Sequence, residues 1–248
     1  KPIISSGFRN GSIVRTEEGG EIGAFYGYET NGLLQNQADV DEYTEGMDDA
    51  AGIAPGDVRF VDQNGDGLVN DEDKVIIGSP IPDFTYGMNI SAQYKNFDLN
   101  MALQGTYGNE IYNSNIYYTM NPGLTFNKRT DILNYWDGEG STNEVPRLTV
   151  DDPNDNMRIS DRYIEDGSYL RLSNMQIGYT LPKELTTRAG IQKLRIYAGA
   201  RNLFTITDYS GLDPEIGRRY ENSYLDAGVD RGNFPKSRVF LAGLNLQF

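Results

Sequence analysis

The segment DQNGDGLVNDED, residues 62–73, sets oxygen-bearing side chains at alternate positions around two glycines. Asp62, Asn64 and Asp66 occupy the first, third and fifth places of the pattern D-x-[DN]-x-[DN]-G, which offers hard oxygen ligands to a divalent cation. Gly67 permits the sharp turn, Leu68 would lend its backbone carbonyl, Asn70 would bind directly or through water, and Asp73 would close the ring. An aspartate stands at the twelfth position, where glutamate is usual. Its shorter arm either draws the loop tighter or gives up bidentate contact. The expected occupant is one structural calcium, or magnesium, ion; a cluster of Asx turns without metal is the alternative. No second loop and no nearby base accompanies the segment, so the expected role is to stiffen a loop, not to catalyse.

Other chemistry-bearing residues are sparser. Tyr117, Tyr118 and Trp136 sit in a long polar stretch, where aromatics either stack on a ligand such as a sugar face or pack a small local core. Asp151, Asp152 and Asp155 form an acidic run expected on a solvated loop surface. Glu165 and Asp166 are adjacent, so in a strand they point to opposite faces and cannot flank one glycosidic bond. The chain holds no cysteine and no histidine. Disulfides, thiolate sites, the Ser-His-Asp triad and the usual zinc sites are therefore excluded, and no enzyme is expected. The net charge of −14 argues against nucleic acid, whose phosphates must be met by lysine and arginine.

The elements that must position these residues read as strands. In 85–94, Tyr86, Met88, Ile90, Ala92 and Tyr94 alternate with Thr85, Gly87, Asn89, Ser91 and Gln93. The same period of two runs through 99–107, 175–181, 194–200 and 238–248, and more weakly through 22–28. Arg195 and Arg201 fall on the polar face of their strand, to line a channel or to pair with carboxylates there. Short connectors, about 95–97 and 181–193, alternate with long polar ones, about 29–84, 109–167 and 207–237. No apolar run of transmembrane-helix length exists, yet strands of alternating polarity can cross a bilayer as a closed barrel. Short turns on one side and long loops on the other suit such a barrel, as do tyrosines at the strand ends. A soluble, secreted, calcium-stabilised β-sandwich that binds glycan or protein is the alternative.

Several segments together resemble one family. PGDVRFVDQNGDGLVNDEDKVIIGSPIPDFTYGMNISAQYKNFDLNMALQGTYGNEIYN (55–113) is similar to the late-barrel region of SusC/RagA-type TonB-dependent transporters of Bacteroidetes. GAFYGYETNGLLQNQADVDEY (23–43), ISDRYIEDGSYLRLSNMQIGYTLP (159–182) and LRIYAGARNLFTITDYSGLDPE (194–215) resemble neighbouring landmarks, and VFLAGLNLQF the closing strand. The resemblance implies an all-β fold: an antiparallel transmembrane β-barrel segment with long extracellular loops, the C-terminal part of a barrel of about 22 strands. It places 29–84, 109–167 and 207–237 outside the cell and 95–97 and 181–193 at the periplasmic face. The plug domain and the N-terminal barrel strands would lie outside this chain. It further implies transport, namely TonB-dependent uptake of oligosaccharide or peptide across a Gram-negative outer membrane. The implied partners are the rest of the barrel and plug, a SusD-like surface lipoprotein, TonB reached through the missing N-terminal part, and membrane lipid.

Overall fold

The structure, a computed structural model, describes residues 2–7, 12–47, 50–217 and 227–248. Of the expected outer loops, 29–84 contains residues 48–49 and 207–237 contains residues 218–226, all outside the described residues. In chain order the strands begin with β1 (Pro2–Gly7), β2 (Ser12–Glu17), β3 (Ala24–Gly27), β4 (Thr30–Leu33), β5 (Val58–Phe60) and β6 (Val75–Gly78). Next come β7 (Phe84–Tyr94), β8 (Phe97–Tyr107), β9 (Glu110–Asn113), β10 (Ile164–Asp166) and β11 (Tyr169–Thr180). The last are β12 (Lys193–Arg201), β13 (Thr205–Thr207), β14 (Val229–Asp230) and β15 (Val239–Gln247). Helices are short: α1 (Gln37–Tyr43), α2 (Ser114–Met120) and α3 (Lys183–Thr186). Among the described residues no helix is long and apolar enough to cross a membrane.

The chain forms two compact units. One comprises residues 81–109, 166–215 and 233–248 and carries the long strands in the order β15-β12-β11-β8-β7, with β13 paired to β11. All of these pairings are antiparallel. The register decides what the sheet's faces are. Met88 lies opposite Leu103 and Ile90 opposite Met101; Met101 in turn faces Met175, and Leu99 faces Ile177. Ile177 then meets Ala198, which meets Ala242, and Ile196 meets Leu244. Cross-strand partners share a face, so these residues form one apolar surface across five strands. The opposite face carries Asn89, Gln104, Asn100, Gln176, Arg195 and Asn245.

That apolar surface is not a sandwich core. Met88 is 55% exposed, Ile177 46% and Leu244 61%, whereas a residue pressed against a second sheet would be nearly inaccessible. Aromatics border it at both ends. Phe84 stacks on Tyr107 with ring centroids 5.3 Å apart at one end, and Phe97 meets Tyr179 at 4.7 Å at the other. Apolar bands edged by aromatic rings are the pattern of a strand set that meets lipid.

In β11 the alternation changes parity. Leu172 faces Leu103, but Asn174 faces Ala102, so Ser173 is an extra residue, and its hydroxyl donates to the Ala102 carbonyl at 2.9 Å. This bulge lets Leu170 and Leu172 share a face with Met175 and Ile177. Between β7 and β8 the turn is two residues, Lys95 and Asn96, and Lys95 takes a positive φ of 51°.

The other unit comprises residues 1–80, 110–165 and 216–232, and includes most of the polar connectors. These connectors are not bare loops. They build short sheets, β1-β2-β3-β6, β10-β9-β14 and β4-β5, and the weak strand at 22–28 appears here as β3. Val14, Phe25, Tyr112, Tyr163 and Val229 pack one core; Tyr28, Leu33, Val58 and Phe60 pack a second. Buried polar groups brace the second core. Asp57, fully buried, takes a bidentate bond from Arg147 at 2.7 and 3.0 Å and another from Asn156 at 2.9 Å.

Candidate functional site

Residues 62–73 follow β5 and end in a one-turn helical segment, Asp71–Asp73, which Asn70 caps. The side chains expected to ligate a cation arrange the loop's own backbone. Asp62 accepts from the amides of Gly65 at 2.7 Å and Gly67 at 2.8 Å. Asn64 accepts from Asp66 at 2.8 Å, and Asp66 from Leu68 at 2.9 Å. Asp73, which is buried, spans the loop by accepting from Gln63 at 2.9 Å and Asn70 at 2.7 Å. Asn70 completes the cap by accepting from Glu72 at 2.9 Å. Gly67 has a φ of +84°, a turn open to glycine at little cost. The Gly67 amide holds the Asp62 carboxyl below the usual carboxylate range against the opposing effect of desolvation, and the Gly65 amide adds to it.

This donor set suits a hard cation in kind, since every candidate ligand is an oxygen. Among the described residues, however, no group of three or more His, Cys, Asp or Glu side chains converges at metal-binding distance. Asx turns, the Asp73 bonds across the loop and the packing of Val69 on the second core all order the loop. Asp62 and Asp66 also face a cavity of about 570 Å³ whose other walls include Glu42, Tyr43 and Phe60.

The aromatic candidates turn inward. Trp136 packs against the core of Tyr28, Leu33, Val58 and Phe60, and its indole N–H donates to Gln35 at 3.2 Å. Tyr117 lies against the other core, edge-on to Tyr163 at 6.1 Å, and Tyr118 meets Tyr117 at 5.4 Å and Phe126 at 5.7 Å. Tyr117 also lines a cavity of about 140 Å³ shared with Tyr28, Asp71, Lys74 and Arg158. Glu165 accepts from Asn113 at 2.8 Å and Asp166 from the Ser168 amide at 2.8 Å, so each acts as a local tie. The acidic run at 151–155 is not wholly solvated. Burial pushes the Asp152 carboxyl up, and it accepts from the Asn156 amide at 2.9 Å.

Two arrangements carry no local sequence signal, and a third, the expected pairing of Arg195 with a carboxylate on the polar face, gains its partner only from the fold. Arg158 lies over the rings of Tyr28 at 5.3 Å and Phe60 at 5.0 Å. Burial pushes the Tyr28 hydroxyl up to about 12, although Arg158 opposes the shift. Arg171, on β11, is buried and bonds Asp213 at 2.5 Å and Glu215 at 2.7 Å. Arg195 meets Asp98 from two strands away. Each joins residues far apart in the chain, which spacing cannot disclose.

No protein-family model matches the chain. Full-length relatives do. The chain is 40% identical over 235 residues, 93% of its length, to TonB-dependent receptor P3 of Formosa agariphila, and 30% identical over 235 residues to receptor P26 of that organism. It is 32% identical over 194 residues, 76% of its length, to the TonB-dependent receptor SusC of Bacteroides thetaiotaomicron. It spans only 22%, 23% and 17% of these three proteins. Among solved structures, the RagAB peptide importer in its open-open state matches with a TM-score of 0.72 and 25% identity, over 98% of this chain and 24% of that one. A further structure of the RagAB peptide transporter gives the same score over 95% of the chain. Over the length it spans, with its antiparallel sheet and uncovered apolar face, the chain belongs to the SusC/RagA family of TonB-dependent receptors.

Proposed function

We propose that the chain forms part of a TonB-dependent nutrient importer of the outer membrane and is not an enzyme. The observation that carries this reading is the five-strand apolar surface, continuous in register, edged by aromatics and left open on its outer side. Such a surface is stable in lipid and costly in water. On the other face, amides, hydroxyls and the Asp98–Arg195 pair form the wall of a wet lumen. The short turns 95–97 and 181–193 then lie at the periplasmic side. The long connectors 29–84, 109–167 and 207–237 then lie outside the cell, where they meet the ligand and a SusD-like lipoprotein. TonB would act through a plug encoded elsewhere in the receptor.

Oligosaccharide or peptide is the expected cargo. The name of the matched importer supports peptide, and the resemblance to SusC-type receptors leaves both classes open. A calcium or magnesium ion at residues 62–73 belongs to the same reading. The all-oxygen donor set and the Asp62 carboxyl, already held in its charged form, support it. Its role would be to fix the loop, through Val69, against the second core.

The test is fractionation and uptake with the complete receptor. It should enter the outer-membrane fraction, require detergent for extraction and migrate faster in gels before boiling than after. Deleting it should abolish uptake of at least one oligosaccharide or peptide. Recovery as an aqueous monomer would contradict the reading.

A further inference from the structure

The 140 Å³ cavity holds a cation whose hydrogen-bonding capacity is mostly open. Arg158 carries five N–H donors. Nη1 reaches the Val69 carbonyl only at 3.5 Å, and the nearest carboxylate, Asp155, stands 3.7 Å from Nε. Both contacts are at the limit of useful geometry. The guanidinium carbon stands 5.3 Å from the ring centroid of Tyr28 and 5.0 Å from that of Phe60, contacts that orient it, while the side chain stays about a quarter exposed. The neighbouring cation differs: Lys74 is matched by Asp71 at 2.6 Å. Among the described residues these donors meet no close acceptor, and a guanidinium oriented by two rings on a cavity wall favours an acceptor supplied from outside.

We propose that this cavity binds a carboxylate group of the imported ligand, with the fork of Arg158 as its bidentate partner. A planar guanidinium matches a carboxylate in two parallel bonds, which a single hydroxyl cannot reproduce. The walls also hold acceptors, Asp71 and Asp155, suited to hydroxyl or amide N–H groups beside that carboxylate. Tyr117 supplies an aromatic side. The volume suits one sugar ring or one amino-acid residue. Two sources share this chemistry, an acidic sugar and the C-terminal residue of a peptide. The inference rests on the importer reading and names the chemistry of its cargo.

The experiment measures binding to the complete receptor in detergent by titration calorimetry. The probes are glucuronate and N-acetylalanine, each against its carboxylate-free twin, the glucuronate methyl ester and N-acetylalaninamide. At least one acid should bind, and more tightly than its twin by roughly tenfold, the worth of a charge-assisted hydrogen bond. Glucuronate alone would identify an acidic sugar, and N-acetylalanine alone a peptide terminus. Arg158→Gln should abolish the difference between acid and twin. Since Arg158 also packs on two rings, Asp155→Asn provides a variant that keeps the stack. It removes the competing carboxylate and should tighten the acid. Equal binding of acid and twin, or indifference to both substitutions, would overturn the proposal. A receptor that imports cargo yet does not distinguish acid from twin fails this inference alone; one absent from the outer membrane fails the reading beneath it.

Discussion

Asp98 and Arg195 meet across an intervening strand. Arg195 Nε donates to Asp98 Oδ1 at 2.9 Å and Nη2 to Oδ2 at 2.5 Å, although β11 separates β8 from β12. Gly178 makes this possible. It lies opposite both Asp98 and Tyr197, and a Cβ there would stand 2.3 Å from Arg195 Nη2 and 2.5 Å from Asp98 Oδ1. The pair thus staples three strands on the polar face.

Gly178→Ala is expected to push the pair apart; the atoms it meets are the mobile ends of Arg195 and Asp98, so the cost should be that of the weakened ion pair, up to about 1 kcal/mol. The measurement is the temperature at which the folded, fast-migrating gel band of the complete receptor is lost. Combining Gly178→Ala with Asp98→Asn should cost less than the sum of the single changes, because both disturb one contact.

In the unit of residues 1–80, 110–165 and 216–232, Arg147→Ala leaves the fully buried Asp57 carboxylate without its cation. Asn156 and the Ala54 amide remain as partners, at 2.9 Å each. Removing one member of a buried pair costs about 3–5 kcal/mol. Hydrogen exchange should accelerate across 50–60 and 145–158, while the long strands keep their protection.

These packed connectors mark where sequence reading stops. Strands β7, β8, β12 and β15 were legible to within a few residues, because one face is apolar throughout. Only the second half of β11 was legible, since the bulge at Ser173 shifts the parity of everything before it. The short sheets were not. Tyr112 pairs with Val229, and the Val58 amide donates to Asn156 at 2.7 Å, so their ladders join segments that no local period relates. Residues 62–73 announced themselves through spacing, and their turn geometry follows it. Arg158 did not, because it lies outside any motif and gains its meaning from rings contributed by Tyr28 and Phe60.

Arg171 anchors the segment around Asp213 to the polar face of β11. Burial raises the Asp213 carboxyl, but the amides of Glu215 and Lys236 and the Arg171 guanidinium outweigh it and hold the group below its ordinary range. A depressed folded value gives stability that is fully present above the unfolded pKa, near 3.9, and is lost as pH falls through the lower folded one. Protease nicking around 208–217 should therefore stay slow from neutral pH down to about 4 and rise only below it. Asp213→Asn should raise nicking at neutral pH and flatten its dependence on pH.

If a cation occupies residues 62–73, chelation should expose that loop. Calcium at about 100 times its dissociation constant adds roughly 2.7 kcal/mol. Limited proteolysis with EDTA should then cut between Asp62 and Asp73 faster than with calcium, and Asp62→Asn should remove the difference. Equal rates in the native receptor would leave the loop held by its own hydrogen bonds and the packing of Val69, without a cation.

The central claim is that the surface bearing Met88, Ile177 and Leu244 faces lipid and the surface bearing Asn89, Gln176 and Asn245 faces water. This chain contributes no cysteine, so in a receptor whose remaining cysteines are replaced, single cysteines at these six positions carry the spin labels. In the complete receptor reconstituted in bilayers, labels at 88, 177 and 244 should collide with oxygen and be shielded from a water-soluble nickel reagent. Labels at 89, 176 and 245 should show the reverse. Nickel access at both sets, or shielding of both, would contradict the account.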